Sequence, residues 1–81
     1  MKDRNKILTQ LLIVAEEYDI EIININFRNI NTLKDIVKVM FKYDQDEFIY
    51  RYSYEKDNIY RINSFVRDFR NELDKRFMEG K

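Results

Sequence analysis

The fold is decided by residues 37–55, which read VKVMFKYDQDEFIYRYSYE. Apolar or aromatic residues alternate with other residues in both halves of this stretch, and the polar residues 44–47 separate the halves. Such alternation is typical of β-strands, because successive side chains of a strand point to opposite faces. Two alternating runs around a short polar connection predict a β-hairpin. A four-residue loop would place Tyr43 opposite Phe48.

The two faces of this hairpin are predicted to differ. One face is aromatic and β-branched, and we expect helices to cover it as core. Its aromatic residues are Phe41, Tyr43, Phe48, Tyr50, Tyr52 and Tyr54. If these tyrosines are exposed instead, they could stack on nucleic-acid bases or bind a protein. The other face is basic and uncovered, and its cations are Lys34, Lys38, Lys42 and Arg51, joined by Arg28 from the preceding turn.

The segments upstream of the hairpin extend the sheet. Residues 32–43 have spacings that fit either a helix or a strand, and the hairpin that follows favours the strand. Residues 20–27 read IEIININF, whose period of two and β-branched residues predict another strand. The apolar parity changes between Ile22 and Ile23, which predicts either a β-bulge there or that the first residues belong to the connection. The two asparagines that follow are expected to face away from the core.

Amphipathic helices are predicted at both ends of the chain. Apolar residues at spacings of three and four predict one helix from about Asp3 to Tyr18, with Asp3 as its N-cap. The same spacing predicts a long second helix that runs through Phe77 and ends near Gly80. Its start is open, because residues 59–62 fit either its first turn or an extended connection. The candidate N-caps are Asp57, Asn58, Asn63 and Ser64.

The order of these segments predicts an α+β fold in two layers, with the topology α-β-β-β-α. We expect a three-stranded antiparallel meander packed against two helices, in a single domain over residues 1–81. A chain of this length buries only about 60% of the surface that its unfolded form exposes, so the core is thin. A partner or a second copy of the chain could therefore add stability.

Composition excludes several classes of protein. The chain has no Cys, no His and a single Gly, so Cys-ligated metal sites, imidazole catalysis and glycine-rich phosphate loops are not expected. Its 15 basic and 15 acidic side chains cancel, which argues against a strongly basic nucleic-acid binder. The apolar run of residues 11–15 is too short to span a bilayer. We therefore expect a cytoplasmic, non-enzymatic protein without a cofactor or membrane contact.

Candidate partner-binding residues come from the aromatic strand, the hairpin loop and the connection to the last helix. Tyr and Arg are favoured at protein interfaces, where they dominate the binding energy. The predicted partner-binding residues are Lys42, Asp46, Arg51, Tyr52, Tyr54 and Tyr60. The loop acids Asp44, Asp46 and Glu47 are expected to form a polar turn and no metal site, because the loop has no Gly and no EF-hand spacing.

A resemblance to a known family is carried by residues 43–69, which read YDQDEFIYRYSYEKDNIYRINSFVRDF. In pattern this stretch resembles the small phage-encoded anti-CRISPR inhibitors of type II-A systems. Some of these combine a first helix, a short antiparallel sheet with an acidic turn and a C-terminal helix. Those that occupy a DNA-binding groove are strongly acidic, whereas this chain is neutral, so the resemblance implies inhibition through another surface.

The sequence therefore predicts a small phage or mobile-element protein that binds and inhibits a host protein by steric and electrostatic occlusion in the host cytoplasm. The resemblance suggests a CRISPR-Cas effector as a candidate partner without fixing the target. The alternative is a nucleic-acid-binding regulator that uses the basic face of Lys34, Lys38, Lys42 and Arg51. A homodimer formed through the exposed sheet face is compatible with both.

Overall fold

The protein consists of a three-stranded antiparallel sheet and two helices in the predicted order. The computed structural model describes residues 2–78 and, among these, the side chains of residues 4–77. The strand order β1-β2-β3 is that of a meander, and both helices pack on one face of the sheet, which confirms the α+β fold. The elements are α1 (Lys2–Tyr18), β1 (Glu21–Asn29), β2 (Lys34–Tyr43), β3 (Asp46–Glu55), α2 (Arg61–Leu73) and a π-helical segment (Asp74–Met78) that continues α2.

The turn between β2 and β3 has two residues where the sequence suggested four. It comprises Asp44 and Gln45, whose φ angles are positive at 51° and 74°, and Tyr43 lies opposite Asp46. The expected pairing of Tyr43 with Phe48 is therefore wrong by two residues. A two-residue turn with positive φ matches the right-handed twist of the flanking strands, so the strands continue up to the turn. Because the error is an even number, every side chain stays on its predicted face.

β1 contains a β-bulge, one of the two explanations that the change of parity allows. Ile22 lies opposite Phe41 and Asn24 lies opposite Met40, so Ile23 is an extra residue on β1. Ile23 is 44% exposed. The bulge leaves both asparagines exposed and returns the apolar side chains after it to the covered face, as the change of parity predicts. The residues of β1 that pack on the core are Ile22, Ile25 and Phe27.

The core lies between the covered face of the sheet and the two helices. Its most buried side chains are less than 2% exposed: Ile7, Leu11, Val14, Val37, Val39, Phe41, Phe65, Phe69 and Leu73. The ring of Phe41 lies 5.6 Å from that of Phe48 and 5.7 Å from that of Phe69. Aromatic pairs at such distances contribute about 0.5–1.5 kcal/mol each beyond simple burial. Tyr50 and Tyr54 are also buried, so the aromatic face is core, as predicted.

The outer ends of the two helices lie at the borders of the described chain. α1 already includes Lys2, so this helix starts before Asp3. Asp3 therefore lies within the helix and is not its N-cap, and the expected stop near Gly80 falls outside the described residues. Within the described residues, the π-helical segment places the Phe77 ring against Tyr43, with the centroids 4.0 Å apart.

The start of α2 differs from both predictions. The helix starts at Arg61, and its N-cap, Tyr60, makes no side-chain capping hydrogen bond. Asn58 forms a turn ahead of the helix, because its side-chain oxygen accepts a hydrogen bond from the Tyr60 N–H at 2.9 Å. The carbonyl of Asn58 accepts a second hydrogen bond, from the Arg61 N–H at 3.1 Å. None of the candidate residues is the N-cap, neither Asp57 nor Asn58, Asn63 or Ser64.

Hydrogen bonds from two tyrosines fix the helical layer. The Tyr50 hydroxyl of β3 donates to the Asp68 carboxylate of α2, and the Tyr18 hydroxyl of α1 donates to Asp74 at 2.7 Å. Burial, together with the bond to Asp68, raises the pKa of Tyr50 far above its ordinary value. The bond to Asp74, with burial as the second cause, raises the pKa of Tyr18. Both hydroxyls therefore keep their protons where tyrosines of an unfolded chain would ionise.

We expect the stability of the fold to fall in alkaline solution. A tyrosine in the unfolded chain ionises near pH 10, whereas the raised pKa of Tyr50 keeps its hydroxyl protonated in the folded chain. The stabilisation that Tyr50 gives the folded chain is therefore fully present below about pH 10, and it is lost as the pH rises further. Urea denaturation followed from neutral to alkaline pH should show this loss, and Tyr50→Phe should reduce it.

The control for this experiment is Tyr60→Phe, because the exposed Tyr60 hydroxyl makes no hydrogen bond to any described residue. This variant should lose as much stability in alkali as the unchanged protein. An equal alkaline loss in Tyr50→Phe and Tyr60→Phe would contradict the role of the Tyr50–Asp68 bond.

The two-residue turn gives a second expectation. A non-glycine residue with left-handed φ destabilises the fold by roughly 1–2 kcal/mol. Replacing it with glycine removes this strain, but the greater freedom of glycine in the unfolded chain cancels about 0.5–1 kcal/mol of the gain in stability. We therefore expect Gln45→Gly to raise the free energy of unfolding by about 0.5–1 kcal/mol, measured by urea denaturation. Ser53→Gly, in the middle of β3, should lower it. The explanation fails if both variants are destabilised.

Candidate functional site

One face of the sheet is left without cover by the described residues. Both helices pack on the aromatic face, so the outward-pointing side chains of the three strands form an open surface, which we call the outer face. They are Glu21, Asn24, Asn26, Arg28, Lys34, Ile36, Lys38, Met40, Lys42, Glu47, Ile49, Arg51, Ser53 and Glu55. None of them is aromatic.

The ends of the outer face are balanced in charge. Lys42 of β2 lies opposite Glu21 of β1 on one side and opposite Glu47 of β3 on the other. At the other end of the sheet, Lys34 lies opposite Glu55. Carboxylates on neighbouring strands reduce the positive potential around these two lysines. Lys34 and Lys42 therefore contribute little to a basic surface.

The middle of the outer face is positive and carries no acid. Lys38 lies directly opposite Arg51, and Asn26 lies on its other side. Arg28 lies in the next row, opposite Ile36. Among the described residues, no carboxylate comes within 4.0 Å of any of these three cations. We call Arg28, Lys38 and Arg51, one from each strand, the basic centre.

The basic centre surrounds a shallow depression of about 180 Å³. The depression is lined by Asn26, Arg28, Ile36, Lys38 and Arg51. Lys38 is half-buried, while the two arginines are exposed. Guanidinium, ammonium and amide groups are all hydrogen-bond donors, so this arrangement can hold an anionic group.

Two apolar side chains lie in the row beside the basic centre, next to the exposed Asn24 of β1. Met40 lies opposite Ile49, and Ile49 is 42% exposed. Ile36 adds a half-buried apolar side chain at the depression itself. A cationic group next to exposed apolar side chains resembles the mixed composition of protein interfaces more than a surface that binds only phosphates.

A second group of exposed apolar side chains lies at the end of the sheet away from the β2–β3 turn. The β1–β2 loop contributes Ile30 and Leu33, and the β3–α2 connection contributes Ile59 and Tyr60. The two loops are joined by a hydrogen bond from the Lys56 N–H to the Leu33 carbonyl at 2.8 Å. We call these four residues the apolar end; Tyr60 is 64% exposed.

The partner-binding residues predicted from the sequence do not form one surface. Arg51 and Lys42 lie on the outer face, whereas Tyr52 is half-buried and Tyr54 is only 7% exposed beneath the helices. Asp46 lies beside the β2–β3 turn, and Tyr60 lies at the opposite end of the molecule. Because the side chains of a strand alternate, residues adjacent in the sequence, such as Arg51 and Tyr52, lie on opposite faces of the sheet.

Two of the four cations predicted for the basic face, Lys38 and Arg51, lie in the basic centre. Lys38 and Arg51 lie together with Arg28, which belongs to strand β1 and not to a turn as expected. Lys34 and Lys42 lie opposite glutamates. The alternation of the strands predicts that Asn26, Ile36, Met40 and Ile49 point away from the core, but it assigns them no function. Only the cross-strand register shows which of them border the cations.

The described residues offer no metal site and no membrane helix. No group of three or more His, Cys, Asp or Glu side chains in this part of the chain could hold a metal ion. Neither of its helices combines the length and the apolar character needed to cross a membrane. A cleft between the first half of α1 and the start of α2 has Lys6 as its single ionisable lining residue.

The basic centre should reduce the stability of the fold, because like charges directly opposite each other destabilise a sheet. We expect Arg51→Glu, which turns the Lys38–Arg51 pair into an opposite-charge pair, to raise the free energy of unfolding by roughly 0.2–1 kcal/mol. The measurement is urea denaturation at low salt, and the gain should shrink when salt screens the charges.

Lys42→Glu is the matched control, because it changes the net charge equally but adds a carboxylate between Glu21 and Glu47. It should lower the free energy of unfolding. If both variants are destabilised to the same extent, the cross-strand repulsion proposed for the basic centre is wrong.

Comparison with known proteins does not assign this fold to a family. The chain was compared with protein-family models, with curated proteins and with solved structures, and no significant match was found. Its function is therefore inferred from the geometry of the outer face.

Proposed function

We propose that this protein is a non-enzymatic binding protein that docks the outer face of its sheet onto an acidic surface of a partner protein and blocks that surface. The proposal is carried by the basic centre: Arg28, Lys38 and Arg51 come from three different strands and have no described carboxylate within 4.0 Å. They occupy the middle of a face that neither helix covers. An acidic partner would supply the missing counter-charge.

The apolar neighbours of the basic centre favour a protein over a nucleic acid. Met40 and Ile49 lie in the adjacent row, where a protein can bury them. Proteins that bind a single nucleic-acid strand usually stack its bases on aromatic side chains, and the outer face has none. Three phosphate contacts would give a salt dependence with a slope of only about −2.7, below that of proteins making 6–10 contacts.

The shape of the outer face also supports binding without catalysis. Its depression of about 180 Å³ is smaller than the roughly 300–1,000 Å³ typical of sites for small molecules. Its ionisable lining groups are all cations, so the depression has no carboxylate or imidazole to act as a general base. It suits one side chain of a partner better than a substrate molecule.

The size of the outer face indicates how such a partner would dock. Three strands about 4.8 Å apart, each about 30 Å long, give a flat area of roughly 400 Å². A standard interface buries about 800 Å² on each partner. The apolar end adjoins the sheet and could supply the remaining area, with Tyr60 as an exposed aromatic anchor.

The proposed partner is a protein of the host cell, which this small protein would inhibit by covering a functional surface. That the partner is a CRISPR-Cas effector rests on the sequence resemblance alone and stays a prediction. A neutral chain with a local basic centre would suit an acidic patch on such a target, and not its DNA-binding groove.

The test compares two arginine variants with the same change of charge. A partner is first captured with the tagged protein from nuclease-treated host lysate, identified and purified. Its affinity is then measured for the unchanged protein, for Arg51→Glu and for Arg67→Glu, whose exposed side chain lies on α2. We expect Arg51→Glu to weaken binding at least tenfold and Arg67→Glu to change it less than twofold.

Equal affinities of the two variants would contradict docking through the outer face. Loss of every retained protein after nuclease treatment, together with salt-dependent binding of bare nucleic acid, would favour the alternative of a nucleic-acid-binding regulator. Circular dichroism spectra of both variants should match that of the unchanged protein, because both positions are on the surface.

A further inference from the structure

We infer that the basic centre is a phosphoryl-binding site, and that the group it receives is a phosphorylated side chain of the partner protein. This inference rests on the proposed docking of the outer face. It specifies the chemistry of the contact: one tetrahedral dianion seated in the depression between Arg28, Lys38 and Arg51.

The donors around the depression match a phosphoryl group in number and type. Three cationic side chains and the Asn26 amide line it. A phosphoryl group carries a charge of about −1.5 to −2 and three strong acceptor oxygens, whereas a carboxylate carries one charge and two oxygens. A single carboxylate would leave two of the cations uncompensated. Arginine also presents a planar fork of donors that fits phosphate oxygens bidentately.

The depression is small. Its volume of about 180 Å³ lies below the roughly 300–1,000 Å³ typical of sites that enclose a whole small-molecule ligand. A single phosphoryl group therefore suits it better than an entire nucleotide. The apolar Ile36 lines the same depression, and a less polar surrounding strengthens the attraction between the cations and the anion.

The rows beside the depression favour an isolated phosphoryl group over a nucleic-acid strand. A strand presents one phosphate after another, and each would need its own cation. The next row of the sheet carries no cation, since it holds Asn24, Met40 and Ile49, and the row beyond it holds Lys42 between two glutamates. An extended protein segment with one phosphorylated residue beside an apolar one matches this pattern.

Binding of the dianion should also relieve a strain in the protein itself. Lys38 and Arg51 lie directly opposite each other with no described carboxylate within 4.0 Å, so they repel each other in the free protein. An anion held between them replaces this repulsion by attraction. A ligand that binds only the folded form raises the apparent stability, so phosphate should raise the melting temperature.

The experiment is a ¹⁵N–¹H NMR titration of the whole chain with inorganic phosphate, and separately with acetate, at constant ionic strength. We expect phosphate to shift the amide signals of residues 26, 28, 38 and 51 with a dissociation constant at least tenfold lower than that of acetate. Arg51→Glu should abolish these shifts, Arg51→Lys should weaken them, and Arg67→Glu should leave them unchanged. Shifts spread over the whole surface, or no preference for phosphate, would overturn the inference.

A second arm identifies the source of the phosphoryl group. The purified partner is treated with a protein phosphatase and its affinity is measured again, and a short DNA strand is titrated in parallel. We expect phosphatase treatment to weaken binding of the partner at least tenfold and the DNA strand to bind more weakly than the untreated partner. DNA binding at least as tight as that of the partner would assign the site to a nucleic-acid backbone and overturn a phosphorylated side chain as its source.

The two proposals fail in distinguishable ways. If phosphatase treatment leaves the affinity intact while Arg51→Glu still weakens it, the phosphoryl inference is wrong and docking through the outer face stands. If Arg51→Glu has no effect on the partner, both proposals are wrong.

Discussion

One constraint governs this molecule: its three-stranded sheet has two faces, and the two helices cover only one of them. Most of the aromatic side chains lie on the covered face or on the helices packed against it, and the ring of Phe41 lies close to those of Phe48 from the sheet and Phe69 from α2. A short chain has little other apolar surface to bury, so the fold depends on this single layer of contacts. The Tyr50–Asp68 and Tyr18–Asp74 hydrogen bonds hold the helices in place over it.

The open face follows from the same constraint. Strand alternation places every second residue away from the core, and no described segment returns to cover them. A protein adapted for stability alone would balance charges on such a face, as the rows of Lys34 and Lys42 do. The Lys38–Arg51 row departs from that pattern. Departures from local rules concentrate at functional sites, which is why the basic centre carries the functional proposal.

The sequence predicted the features that depend on periodicity. Alternation located the strands and the two faces of the sheet, helical spacing located α1 and α2, and the parity change located the bulge at Ile23. It did not predict the length of the β2–β3 turn, because Asp44–Glu47 are all polar and any two of them could form it. The start of α2 was missed because Asn58 stabilises a turn ahead of the helix.

The composition of the site was only half predicted, because periodicity shows which face a residue lies on but not which residue lies opposite it. Periodicity shows that Lys34, Lys38, Lys42 and Arg51 share a face, but the charges across from each of them depend on the register. That register depends on the turn length in one hairpin and on the bulge in the other. An error of two residues keeps every face intact and yet changes every cross-strand neighbour. The lack of a described carboxylate within 4.0 Å of Lys38 and Arg51 could therefore not be predicted from the sequence.

The most direct measurement of the central claim is a methyl NMR spectrum of the protein, labelled at its Met and Ile methyl groups, with and without its purified partner. The Met40 methyl group lies in the middle of the outer face, whereas Ile7 and Ile20 lie in the core and Ile13 is exposed on α1. If the outer face binds the partner, the signals of Met40, Ile36 and Ile49 should shift and those of Ile7 and Ile13 should not. A shift at Ile13 with Met40 unchanged would show that the helices form the binding surface, and it would contradict docking through the outer face.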